Sequence, residues 1–340
     1  MNRAPGVDRP RERAPQQPPL RYLAPAELEA CLPPVSQRIG LVRQALLALA
    51  HDDAEMPAKI GVHPRPGALL HAMPAWLRSA DLVGLKWVAA FPANRARGLP
   101  AISGVVVLND ADTGQPTWIM DAARITALRT AAVSGMAIEL LAPAGAAKVA
   151  VLGAGVQARS HIELVAELLP DAAVALFDRN PGRAAAVATE VNGALGRELV
   201  SAAESVPVAV ADAGVVITVA TLGAQAERLV PAAVAAGALV VAVDFATYVA
   251  PELARAARVF AVDDRAQFVA YRELGYFDGY PDPTTTLGEL AAASGGAVGD
   301  RRADEPVLAT HLGVGLADVV FADAIARAAE NAGMGSELPR

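Results

Sequence analysis

Gly153, Gly155 and Ala158 stand in the run Lys148-Val-Ala-Val-Leu-Gly-Ala-Gly-Val-Gln-Ala, at the spacing of a turn that can cradle a pyrophosphate. Gly153 permits a tight turn between a strand ending at Leu152 and a helix beginning near Val156. Gly155 has no side chain, so a phosphate can approach the backbone N–H groups of Val156 and Gln157 at the helix N-terminus. The small Ala158 allows close helix–strand packing. Asp178 follows 25 residues after Gly153, at the end of the next apolar run. A carboxylate there accepts hydrogen bonds from ribose hydroxyls and repels a 2′-phosphate, which favours NAD(H). Arg179 beside it can accommodate that phosphate, which keeps NADP(H) open. The plainer alternatives are an ordinary α/β turn and a solvated strand-end acid. Thr218 and Thr221 follow a later strand, where they either reach the nicotinamide half or cap the strand end.

Other chemistries are thinly represented. The five histidines show no paired metal spacing and there is no cysteine cluster, so no metal is expected. There is neither a Gly-x-Ser-x-Gly elbow nor a phosphate loop ending in Gly-Lys-Ser/Thr. A net charge of −7 without a basic stripe argues against nucleic acid. The single cysteine, Cys31, reads as a small buried hydrophobe and fits a reducing, cytoplasmic compartment. Asp212, Glu227, Arg228 and Asp244 interrupt the apolar stretch from Val206 to Ala250, so no membrane span is expected.

The elements that must position these residues follow from composition and periodicity. With 54% hydrophobic and 4% aromatic residues among 340, Ala, Val and Leu must build the core. Residues 1–19, with five prolines and four arginines, read as a disordered tail without the apolar core of a signal peptide. Ser36–Ala50 is helical, with Ser36 as a candidate N-cap. Leu82–Phe91, Ile102–Leu108 and Thr117–Met120 read as strands, the last two joined by the turn residues 109–115. Asp121–Leu141 is helical. Beyond Pro143, apolar runs at Lys148–Leu152, Ala173–Phe177, Val215–Val219, Ala238–Val243 and Val259–Val262 alternate with helical segments, the signature of a parallel sheet. Gly315–Asn331 reads as one amphipathic helix. The expected class is α/β.

Several segments together resemble the ornithine cyclodeaminase/mu-crystallin family: Met56-Pro-Ala-Lys59, His71-Ala-Met-Pro74, Gly84-Leu-Lys86-Trp, Phe91-Pro-Ala-Asn94, Thr113-Gly-Gln-Pro, Ile125-Thr-Ala-Leu-Arg129-Thr130-Ala-Ala, the glycine turn, and Gly313 with Leu316-Ala-Asp318. The resemblance runs over roughly residues 22–337. It implies a Rossmann-type dinucleotide-binding domain over 129–305, plus an α+β substrate and dimerisation domain formed by 20–128 with 306–340, the C-terminal helix returning to the first domain. It also implies a homodimer, and a basic trio holding a substrate carboxylate at Lys59, Lys86 and Arg129. Charge-assisted donors suit a carboxylate, and Arg offers two in parallel. Asn94 and Thr130 are secondary candidates, beside the nicotinamide ring and a phosphate respectively.

The catalytic acid of the cyclodeaminases corresponds here to Ala246. Asp244, two residues earlier at a strand's carboxyl end, is either a substitute proton carrier or a cap. Lys86 and Asp244 are therefore the catalytic candidates. The expected activity is NAD(P)-dependent interconversion of a small amino acid and its imine or keto form, by an amino-acid dehydrogenase or imine reductase. The alternatives are ornithine cyclodeamination, giving proline and ammonia, and a non-catalytic NAD(P)-binding protein of the mu-crystallin kind.

Overall fold

Alternation of buried and less buried positions shapes the middle strands of the first sheet. The computed structural model describes residues 18–221, 227–293 and 305–339. Strand β1 (Leu20–Leu23) leads into helices α1 (Pro25–Ala30) and α2 (Val35–Ala50). Strands β2 (Ala54–Glu55), β3 (Ile60–Arg65), β4 (Ala68–Leu77), β5 (Leu82–Ala90), β6 (Ile102–Asn109) and β7 (Pro116–Asp121) follow, then helix α3 (Ala122–Leu141). Strands β4 to β7 form an antiparallel meander. In β5, Gly84 and Lys86 point inward, while Val83, Leu85 and Trp87 lie half-buried or exposed on the other face. The register pairs Lys86 with Met73 on one side and Val106 on the other, both buried. Asp121 caps α3 by accepting from the N–H groups of Ala123 and Arg124. Helix α2 starts one residue earlier than expected. Pro34 precedes it, and no side chain caps it, so Ser36 lies inside the first turn.

The second half alternates strand and helix: β8 (Lys148–Leu152), α4 (Val156–Leu168), β9 (Ala173–Phe177), α5 (Pro181–Leu195), β10 (Val200–Ala202), α6 (Val206–Val210), β11 (Val215–Thr218), β12 (Leu239–Ala242), α7 (Pro251–Ala256), β13 (Val259–Val262), α8 (Arg265–Glu273), β14 (Thr285–Thr286), α9 (Leu287–Ala292) and β15 (Val307–Thr310). These strands form a parallel sheet in the order β10-β9-β8-β11-β12-β15-β13-β14. The order reverses between β8 and β11, and the crevice outside their carboxyl ends is where ligands bind in such sheets. This is an α/β fold with a Rossmann-type sheet.

Helix α10 (Gly315–Asn331) packs on β4, β5 and β6, and β16 (Ser336–Leu338) pairs with β1 at the edge of the first sheet. The expected boundary at residue 306 therefore needs correction, because Val307–Thr310 lies inside the parallel sheet, hydrogen-bonded between β12 and β13. A continuous apolar core runs from the first sheet through α2, α3 and α10 to one face of the parallel sheet, and a second cluster covers its other face. The expected tail, residues 1–19, lies outside the described residues except for Pro18 and Pro19.

Candidate active site

A cavity of about 1140 Å³ lies between the two sheets. At one end it is walled by Gly153, Gly155, Val156, Gln157, Asp178 and Arg179, and at the other by Lys59, Lys86, Arg129 and Gly313; Thr130 is also a wall residue.

The glycine turn has the shape its sequence suggests. Gly153 sits at φ 117°, and an added Cβ would fall 2.8 Å from the Val219 carbonyl oxygen, so only glycine fits between the ends of β8 and β11. Gly155 is the N-cap of α4 and offers no side-chain cap, and an added Cβ there would meet nothing within 4 Å. The first N–H groups of α4 therefore face open space where an anion can sit. Asp178 fastens the turn: one oxygen accepts from the Ala154 N–H at 2.9 Å and the other from the Asn180 N–H at 2.9 Å. These residues fit a dinucleotide.

At the other end, the fold converges on one carboxylate. Asp318 of α10 is fully buried and lies 2.6 Å from Lys86 Nζ and 2.9 Å from Arg129 Nε. Three elements distant in sequence, β5, α3 and α10, are thereby tied together. Burial, and the Arg129 charge next, bring the Lys86 ammonium down to about 7, with Asp318 opposing the shift. Gly313, at φ 88°, leaves space for the Arg129 guanidinium: an added Cβ would lie 2.7 Å from Nη1. Asp263 holds this loop by accepting from the Leu312 and Gly313 N–H groups at 2.9 and 2.7 Å, and Gln267 donates to the Gly313 carbonyl at 3.0 Å. Lys59 donates to the Leu312 carbonyl at 2.6 Å, and burial lowers its ammonium to about 8.

Around Lys59 stands an aromatic wall. Its Nζ lies 4.7 Å from the Tyr271 ring centroid and 5.7 Å from that of Phe245, a cation–π arrangement. Tyr276 packs on both rings, with centroids 5.5 Å from Phe245 and 5.4 Å from Tyr271. Burial, with Lys59 second, holds His71 neutral with a pKa of about 4.

A buried polar chain joins α3, α4 and the end of β15. Ser134 Oγ lies 2.8 Å from both His161 Nε2 and His311 Nε2, and His161 Nδ1 lies 2.7 Å from the Gln157 carbonyl. The carbonyl requires the proton on His161 Nδ1, so Ser134 donates to His161 and accepts from His311. That chain fixes α4 against α3.

Three expected residues, Asp244, Thr218 and Asn94, are placed differently. The Asp244 carboxylate accepts from the Thr218 hydroxyl at 2.6 Å and the Ala220 N–H at 3.1 Å, and neither Asp244 nor Thr218 is a wall residue of the cavity. Burial raises the Asp244 pKa to about 7. Asn94 donates to the Pro100 carbonyl and is also absent from the wall. Asp318 was not assigned a role from the sequence. Asp318 carries a readable signal: four residues after Val314 and three before Phe321, it is an acid on the apolar stripe of α10, and acids are buried only when paired. Among the described residues there is no His, Cys, Asp or Glu cluster suited to a metal, and no helix long and apolar enough to cross a membrane.

Comparison with known proteins places these features in context. The profile of the ornithine cyclodeaminase/mu-crystallin family matches residues 28–333. The chain is 35% identical over 320 residues to the nodulation efficiency protein NfeD of Rhizobium meliloti, covering 94% of this chain and 98% of that one. It is 37% identical over 150 residues to Delta(1)-pyrroline-2-carboxylate reductase 2 of Burkholderia ambifaria, a match spanning 42% of this chain and 48% of the reductase, about half its length. The Thermococcus litoralis Delta(1)-pyrroline-2-carboxylate reductase, solved with NADH and L-proline, superposes with a TM-score of 0.83 at 26% identity, covering 94% of this chain and 100% of that one.

Proposed function

This chain belongs to the ornithine cyclodeaminase/mu-crystallin family, and we propose on that premise that it is an NAD(H)-using oxidoreductase interconverting a small α-amino acid and its imine, with reduction the favoured direction. The observation that carries this reading is the pairing of Lys86 and Arg129 on buried Asp318, in a cavity whose far end is the glycine turn. The group Lys59, Lys86 and Arg129 against Asp263 and Asp318 leaves one positive charge in excess, and one substrate carboxylate completes the balance. A protein that only stored a nucleotide would have no use for such a trap.

In this reading Gly153, Gly155, Val156 and Gln157 present backbone to the pyrophosphate, with Thr130 as a further phosphate contact, Asp178 faces the adenosine ribose, and Arg179 lies beside it. Thr218 and Asp244 support the turn at Ala220. A bound nicotinamide supplies or accepts the hydride. Arg129 and Lys59 hold the carboxylate, each charge-assisted bond worth roughly 1.5–3 kcal/mol, which fixes the α-carbon for transfer. Lys86, with an ammonium near neutrality, gives a proton to the nitrogen on reduction and takes it back on oxidation. Asp318 keeps Lys86 in place.

Cyclodeamination requires further proton handling for departing ammonia and the attacking side-chain amine. Position 246 carries only a methyl group, and the Asp244 carboxylate is turned to Thr218 and Ala220. Dimerisation belongs to the same proposal. The outer face of the first sheet presents Val83, Leu85, Trp87, Val105 and Val107, half-buried or exposed, and a second copy would cover them. The direct test of the activity is cofactor turnover with imino, keto and diamino acids.

A further inference from the structure

We propose that His311 reads the carboxamide of the bound nicotinamide: its Nδ1 is locked as a hydrogen-bond acceptor and takes a carboxamide N–H, so that a dinucleotide lacking that N–H is bound poorly. This inference rests on the oxidoreductase reading above and adds a cofactor-selecting residue to it.

The buried polar chain carries the observation, because its protons can run in one direction only. It starts at the Gln157 carbonyl, which can only accept, so the proton of His161 sits on Nδ1, 2.7 Å away. Burial holds His161 neutral, with a pKa of about 4, so its Nε2 has no proton and must accept from the Ser134 hydroxyl at 2.8 Å. Ser134 has then spent its proton and accepts from His311 Nε2 at 2.8 Å. Burial, and after it His161, Arg129 and Lys59, push the His311 pKa well below the ordinary histidine value, so its ring carries one proton, on Nε2. Nδ1 is left with a lone pair and no proton. It is buried and has no hydrogen-bond partner among the described residues. A buried acceptor left unpaired is costly, and native structures rarely keep one without a reason.

The position of His311 names the missing donor. His311 is a wall residue of the cavity, as are Leu312 and Gly313 after it, and only 2% of it is exposed. Its own N–H donates to the Ala242 carbonyl at 3.2 Å, which sets it at the carboxyl ends of β12 and β15. The strand order β9-β8-β11-β12-β15 leads from Asp178, across the glycine turn, to that point. A dinucleotide with its ribose at Asp178 and its pyrophosphate at α4 therefore brings its nicotinamide toward His311. The protein's own donors nearby are committed elsewhere: Lys59 to the Leu312 carbonyl, and Lys86 and Arg129 to Asp318. A carboxylate or carbonyl oxygen would set lone pair against lone pair at Nδ1. A primary amide supplies the N–H that is lacking. The other end of the chain lies in the first turn of α4, whose N–H groups face the pyrophosphate, so both ends serve one ligand.

The test is calorimetric titration of the apoprotein with three reduced dinucleotides: NADH, its thionicotinamide analogue, which keeps the NH₂, and its 3-acetylpyridine analogue, which replaces the NH₂ by a methyl group. We expect NADH and the thio analogue to bind within about threefold of each other, and the acetylpyridine analogue about tenfold or more weakly. His311→Leu should weaken NADH by about tenfold and leave the acetylpyridine analogue where it was, so that the preference disappears. Retained binding of that analogue also reports that the variant is folded. Ser134→Ala frees the His311 proton to move to Nδ1 and should shrink the same preference, which keeps the test decisive if His311→Leu does not fold. Equal binding of NADH and the acetylpyridine analogue by the unaltered protein would overturn the proposal. So would a preference that persists unchanged in the variants, or a His311→Leu variant that binds every dinucleotide normally but weakens amino-acid binding to the NADH complex, since His311 would then meet the substrate nitrogen. Failure of the parent reading looks different. No dinucleotide binding at all would overturn both, whereas the expected preference without turnover of any imino or keto acid would remove the oxidoreductase reading and leave His311 as the carboxamide acceptor.

Discussion

Lys86 Nζ and the Asp318 carboxylate lie 2.6 Å apart, both essentially without solvent contact, and the second carboxylate oxygen takes Arg129 at 2.9 Å. One acid thus stands against two cations from two other elements. Removing one partner of a buried ion pair is costly, because the other charge is left uncompensated. Asp318→Asn should lose roughly 3–5 kcal/mol of folding stability, read as a lower urea midpoint with an unchanged slope. A midpoint within experimental error of the parent would remove Asp318 as the organising charge.

The pH dependence follows from Lys86. Its ammonium is brought down to about 7 by burial and by Arg129. Below that value it is charged and can donate; above it, it is neutral and can accept. For imine reduction, kcat/KM should therefore fall as pH rises through about 7, and for amine oxidation it should rise through the same point. Lys86→Gln should lower turnover and abolish both limbs in the residual rate. Profiles that are flat from pH 6 to 9 in the unaltered enzyme would argue against Lys86 as the proton carrier.

Much of the nucleotide half was readable in the sequence. Strands such as Val149–Leu152 and Val215–Thr218 are buried on both faces, so they appear as unbroken apolar runs. The glycine turn is local, its residues lying within one strand–helix junction. Other parts were hidden for physical reasons. Strand β4 contains Pro74, which breaks the expected strand pattern, and β15 is four residues long. The site residues were obscured by distance along the chain. Arg129 and Asp318 are 189 residues apart, and Asp263 reaches Gly313 across 50. Only the fold brings them together. Asp244 shows the opposite case: its position at a strand's carboxyl end was legible, but the direction of its side chain was not.

Cofactor choice turns on Asp178. Its carboxylate, fixed by the Ala154 and Asn180 N–H groups at the end of β9, should repel a 2′-phosphate, so NADH should be used in preference to NADPH. Asp178→Ser should narrow or reverse the preference, with Arg179 close by to meet the phosphate. Equal kcat/KM for the two cofactors in the unaltered enzyme would refute this assignment.

The outer face of the first sheet predicts a dimer. Light scattering at micromolar concentration should report twice the chain mass of 34.9 kDa. Trp87→Asp, which puts a charge on that face at an exposed position, should shift the population toward the monomer. A monomer in the unaltered protein would contradict the pairing.

The central claim is hydride exchange at the α-carbon of a substrate held by its carboxylate. The most direct measurement is NADH consumption with Delta(1)-pyrroline-2-carboxylate and its six-membered homologue, run beside keto acids plus ammonia and beside ornithine with catalytic NAD⁺. The account predicts stoichiometric NADH oxidation with at least one imino or keto acid, reduced by about tenfold or more in kcat/KM in Arg129→Ala as its charge-assisted bonds are lost. Conversion of ornithine to proline with ammonia release and no net cofactor consumption, in an enzyme inert toward every imino and keto acid, would contradict it.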